Sequence, residues 1–195
     1  APYEDVKTPE EAAKIKLDPE KNPQKLMAAK FEDLGRRARG TPTGLRCLMW
    51  RMQGLQGPKS DALKAKSVAL LDELVADYLG LEELAETVGA LGYYAQSAPA
   101  EKLAAVLARI EKDAKSPAAR GSAMLLRASQ LFESPDAAKK AEGRKLFAQV
   151  QKDYADTPAA SRAKGQLYEA DNLQIGMAPA DIAAKDETGK EFRLY

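Results

Sequence analysis

Leu146-Phe147-Ala148-Gln149-Val150-Gln151-Lys152-Asp153-Tyr154-Ala155-Asp156-Thr157-Pro158-Ala159-Ala160 contains the end of one helix and the start of the next. Leu146, Phe147, Val150 and Tyr154 fall on one face at the 3.6-residue period. Thr157-Pro158 then reads as an N-cap followed by the first helical position. The hydroxyl oxygen accepts from an otherwise orphaned amide, and proline's fixed φ and missing N–H cost nothing there. Ala159, Ala160, Ala163 and Gly165 keep the following helix slim, so a neighbouring helix approaches closely.

The same device recurs upstream at Thr8-Pro9, Asn22-Pro23, Thr41-Pro42, Ser116-Pro117 and Ser134-Pro135. At Thr8, Glu11 three residues on completes a capping box. Ser60 and Ser97 open further helices without an immediate proline. Between these starts the apolar residues keep a helical spacing. Met27, Phe31, Leu34 and Ala38 form one stripe, and Leu45, Leu48, Met49, Met52 and Leu55 the next. The longest runs through Leu63, Val68, Leu71, Leu74, Val75, Tyr78 and Leu79 to Gly80, which reads as a C′ glycine. Leu84, Val88 and Leu91 carry a short helix, and Leu103, Val106, Leu107 and Ile110 another. Met124, Leu125, Leu131 and Phe132 precede the opening stretch, and Leu167 and Tyr168 follow it. The pattern predicts about eight or nine helices with short connections, which make neighbours antiparallel.

The starts at Ser97, Ser116, Ser134 and Thr157 come about 20 residues apart, so a helix pair repeats about every 40, a period of helical-hairpin solenoids. The junction quoted above resembles that of tetratricopeptide repeats, where an aromatic-bearing helix ends in Tyr-x-x-(Ser/Thr)-Pro and the next begins on small residues. The full consensus of that family is not met. The expected fold is all-α: antiparallel helical hairpins stacked as a tetratricopeptide-like array, with an irregular helical bundle as the alternative.

Residues 173–195 depart from this pattern. Gly176 and Pro179 break any helix running in from upstream. Asp186-Glu187-Thr188-Gly189 forms a turn cluster, and Phe192 and Leu194 alternate with charged residues as in a half-buried strand. Gly189 supplies the positive φ of a short hairpin loop. Gly176, Ala178, Pro179, Asp181, Ile182, Asp186, Gly189, Lys190 and Leu194 together resemble the entry of thioredoxin-like redoxin domains of the TlpA and peroxiredoxin type, with Ala180 standing between Pro179 and Asp181. The resemblance implies two units, a helical domain over 1–172 and the truncated start of a thioredoxin-like domain over 173–195. It further implies a bacterial, periplasmic or otherwise exported parent performing thiol–disulfide exchange, whose Cys-x-x-Cys would lie beyond Tyr195. The helical region would then bind and position a protein partner, or its own downstream domain, without catalysing. A stand-alone helical scaffold is the other reading, with the hairpin as a cap.

Composition narrows the chemistry. The chain has 195 residues, no histidine and one cysteine. Without histidine there is no Ser-His-Asp or Cys-His catalysis and no His-ligated metal or haem. With one cysteine there is neither an internal disulfide nor a Cys-rich metal site. No cofactor is expected. Thirty basic against twenty-nine acidic residues give no strong pull towards nucleic acid or anionic membrane. No run is long and apolar enough for integral membrane insertion. The chain opens Ala1-Pro2 rather than with Met, the expectation being a processed or trimmed product.

Two candidate sites remain. Cys47 sits within an amphipathic stripe, where a buried inert thiol is the ordinary state. Arg46 and Arg51 would stabilise its thiolate were it exposed, making it the candidate reactive thiol. Arg36, Arg37, Arg39, Arg46 and Arg51 cluster on either side of Gly40 as a candidate basic patch for an acidic partner. The alternative is a solvated face balanced by Glu32 and Asp33.

Overall fold

The computed structural model describes residues 22–55, 60–177 and 183–193, with Gln24 described by its backbone alone. The Thr8-Pro9 start and its capping box lie outside these residues, as do Ala178, Pro179, Asp181, Ile182 and Leu194 of the redoxin-like segment.

Eight helices are present among the described residues, and they make up 72% of the described chain. They are α1 (Pro23–Arg37), α2 (Pro42–Gln53), α3 (Asp61–Asp77), α4 (Leu84–Tyr94), α5 (Ala100–Asp113), α6 (Pro117–Phe132), α7 (Ala137–Asp153) and α8 (Pro158–Asn172). Two three-residue strands follow, β1 (Ala183–Lys185) and β2 (Glu191–Arg193).

Most of the expected starts are used, by differing means. Thr41 accepts from the amide of Gly44, and Ser60 from that of Leu63. Ser116 and Thr157 stand at N-cap positions but make no capping bond; the Thr157 hydroxyl instead donates to the Tyr154 carbonyl at 2.7 Å. At two places the start moves. Asp136 caps α7 in place of Ser134, its Oδ1 accepting from Ala138 and Lys139, because a carboxylate two residues on is the stronger acceptor. The fifth helix begins at Ala100, and the Ser97 hydroxyl turns to the Leu55 carbonyl. Gly80 does not adopt a left-handed conformation; α3 ends at Asp77, and the amide of its C-cap Tyr78 bonds the Leu74 carbonyl.

The helices stack as antiparallel hairpins. Alternate members form one row: α2 packs on α4, α4 on α6, and α6 on α8. In the second layer α3 packs on α5, and α7 bridges α6 and α8. Two apolar cores result. Leu48, Leu71, Leu74, Tyr78, Leu84, Val88, Leu91, Leu107 and Ile110, all fully buried, belong to the first. Phe147, Val150, Ala128 and Ala163 belong to the second. Helix α6 joins them, giving Ala119 and Ala123 to one and Met124, Leu125 and Ala128 to the other.

The stripe on α1 behaves differently. Phe31 is half-buried against Trp50, but Met27 and Leu34 are exposed, because α2 is the only described helix that packs on α1.

At the far end β1 and β2 form an antiparallel hairpin in which Ala184 faces Phe192. Gly189, at φ 85°, closes the turn, and Asp186 Oδ1 accepts from the amides of Thr188 and Lys190. These bonds, the Thr188 hydroxyl's first, hold the Asp186 carboxyl below the usual range. No described helix packs against the hairpin.

Candidate functional site

The α1–α2 turn places the arginine cluster. Gly40, at φ 73°, reverses the chain and brings Arg39 over the end of α3. Arg39 Nε donates to Asp77 Oδ2 at 2.6 Å, a bond that raises the guanidinium's already high pKa. Arg36 and Arg37 both take Asp33, at 2.7 and 3.0 Å, and the Arg36 hydrogen bond leads in holding that carboxyl below its ordinary value. Arg51 donates from Nη1 to both carboxylate oxygens of Glu73. Arg36, Arg39 and Arg51 therefore line one cleft of about 460 Å³ together with Glu32, Asp72, Glu73 and Asp77. Within it Arg39 and Arg51 are each paired with a carboxylate. Asp33 was legible as a partner from its spacing on the same helix; Glu73 and Asp77 come from α3, which the sequence does not set beside α1.

Arg46 is placed elsewhere. It is exposed, makes no ion pair among the described residues, and lines a cleft between α2 and α4. That cleft, about 490 Å³, is walled by Met49, Trp50, Ala90 and Tyr94. Phe31 stacks on Trp50 with ring centroids 4.1 Å apart and planes 10° from parallel. Gln53 Nε2 donates to the Tyr94 hydroxyl at 3.2 Å and ties the two helices at one end. Glu83 and Glu86, exposed at the start of α4, complete the rim.

A second cleft, about 510 Å³, lies along the same row on the far side of α4. Gly89, Ser122, Leu126, Arg162, Gly165 and Gln166 are among its lining residues. The row of alternate helices thus carries two neighbouring concavities of the size that ligand and side-chain sites have. Phe31 and Trp50 were not singled out as a pair from sequence, since their contact depends on the α1–α2 crossing.

Cys47 is 2% exposed. A Cβ added to Gly35 would lie 3.2 Å from the Cys47 Cβ, so α1 is in contact over the thiol. Burial pushes the thiol's pKa up, and the nearby Arg51 charge only partly opposes this. The thiolate is disfavoured, and with it nucleophilic and metal-binding chemistry.

The last described segment is apolar and open. Leu173 and Met177 are about half exposed and Ile175 fully so, directly after α8, and Phe192 on β2 is 46% exposed. Among the described residues no group of three or more metal-ligating side chains is arranged to hold an ion, and no helix is long and apolar enough to cross a membrane.

Comparison with family models, with curated proteins and with solved structures finds no match for this chain.

Proposed function

We propose that this chain is a non-catalytic helical interaction module that positions a thioredoxin-like domain of the TlpA type, or that domain's protein partner, in an exported bacterial thiol–disulfide oxidoreductase. One observation carries the reading. A formed hairpin follows α8, its Phe192 is uncovered, and Leu173, Ile175 and Met177 lead into it exposed. Two short strands alone are marginal in water, and exposed apolar side chains at such a place call for a covering surface. The sheet of a thioredoxin-like domain would supply it, and the resemblance of the surrounding residues names that domain.

The hydrogen-bonded Asp186-Thr188-Gly189 turn is consistent with this reading, because its geometry sets the register of a strand entering a larger sheet. The stand-alone scaffold reading draws instead on the two clefts along α2, α4, α6 and α8. It asks the hairpin to cap the array, and no described helix packs on the hairpin.

The coding sequence past Tyr195 provides a test. A buried strand followed by Cys-x-x-Cys supports the redoxin parent, whereas a stop codon or an unrelated domain leaves the scaffold.

A further inference from the structure

We infer that the cleft between α2 and α4 receives a basic partner segment that inserts an apolar side chain against Trp50. The inference rests on the interaction-module reading and adds the chemistry of the partner. Its walls are apolar: Met49 and Ala90 flank the stacked Phe31–Trp50 pair, and Tyr94 closes one end. Its charged rim is acidic, with the two carboxylates of Glu83 and Glu86 against the single guanidinium of Arg46.

None of these three groups has an ion-pair partner among the described residues. In the cleft that Arg36 lines, by contrast, Arg39 and Arg51 are matched by Asp77 and Glu73. Glu83 and Glu86 stand at the amino-terminus of α4, a place the helix dipole favours for carboxylates. Both side chains are exposed and face whatever enters the cleft. A lysine or arginine flanking an apolar anchor satisfies both features. An acidic segment would meet like charges on the α4 side, which is costly at a rim and slows encounter.

Trp50 is the only tryptophan in the chain and lines this cleft as well as one on the α3 side, so its emission reports binding and the Glu83 and Glu86 changes assign it to this cleft. The probes are two short capped peptides without tryptophan, one alternating leucine with lysine and the other leucine with glutamate. At low salt the leucine–lysine peptide should shift Trp50 emission saturably and the leucine–glutamate peptide should not. Glu83→Lys with Glu86→Lys should weaken the first peptide about tenfold, and raised salt should weaken it too. Should the double variant fail to fold, as read by circular dichroism, Glu86→Gln with the salt titration serves instead, with a smaller loss in the same direction.

Equal binding of the acidic peptide, indifference to the charge changes, or no response of Trp50 to either peptide would each overturn the inference. None of these results bears on the link to a thioredoxin-like domain, which the disulfide-reduction assay below reads separately.

Discussion

Arg51 on α2 and Glu73 on α3 are joined by two hydrogen bonds from a single nitrogen, Nη1, at 3.0 and 2.9 Å. Both side chains are about one-quarter exposed, so the pair is partly shielded from water. Glu73→Gln should therefore lower stability by about 1 kcal/mol, more than an exposed pair contributes, because Arg51 keeps its charge in a half-buried place. For a chain of this size the thermal midpoint should fall by about 2–4 °C. Asp33→Asn, which removes the more exposed partner of Arg36 and Arg37, should leave the midpoint unchanged. Thermal unfolding followed by circular dichroism compares the two.

Cys47 should react slowly with a thiol reagent in native buffer and rapidly in denaturant. Its native pKa is raised, so the folded protein holds the thiol proton more tightly than the unfolded chain. The stability this contributes is complete below the unfolded thiol value, about 8.5, and is lost as pH rises through the folded one. The fully buried Tyr78, also raised and chiefly by burial, adds loss of the same sign at higher pH. Urea midpoints should thus decline on the alkaline side. Fast native labelling with an acid-shifted profile would instead identify an activated thiol.

Gly143 and Gly165 both lie inside helices, yet alanine should have opposite effects at the two. A Cβ at Gly143 would stand 2.6 Å from the Phe132 amide nitrogen and 2.8 Å from the Ala128 carbonyl oxygen. Backbone atoms cannot turn aside, so α6 and α7 would have to separate, at a cost of about 1–3 kcal/mol. A Cβ at Gly165 meets nothing within 4 Å, and the gain in helix propensity should stabilise by about 0.5–1 kcal/mol. Urea denaturation of Gly143→Ala and Gly165→Ala gives both signs.

The helical array was legible because its signals are local. Proline after a hydroxyl-bearing residue marks the starts at Thr41, Ser116 and Thr157, and Leu84, Val88 and Leu91 reach the core as their spacing requires. The hairpin turn was legible for the same reason, since Gly189 and Asp186 act within four residues. What escaped depends on which helices meet. Met27 and Leu34 share a stripe with Phe31, but only Phe31 meets an aromatic partner, Trp50. The arginines around Gly40 read as one patch along the chain. In space they divide, because Arg46 lies on the α4 side of α2 and Arg51 on the α3 side. Cap choice at Asp136 over Ser134 turned on competition between two acceptors two residues apart, which spacing does not rank.

Insulin disulfide reduction in the presence of dithiothreitol tests the central reading most directly. Thiol–disulfide exchange needs an accessible low-pKa thiolate and a resolving cysteine. This chain offers one buried thiol with a raised pKa. Residues 1–195 should leave insulin turbidity at the uncatalysed rate, while a chain extended past Tyr195 by the residues its gene encodes next should accelerate it. Turnover by residues 1–195 would contradict the helices as a non-catalytic module, and an inert extended chain would contradict the redoxin parent.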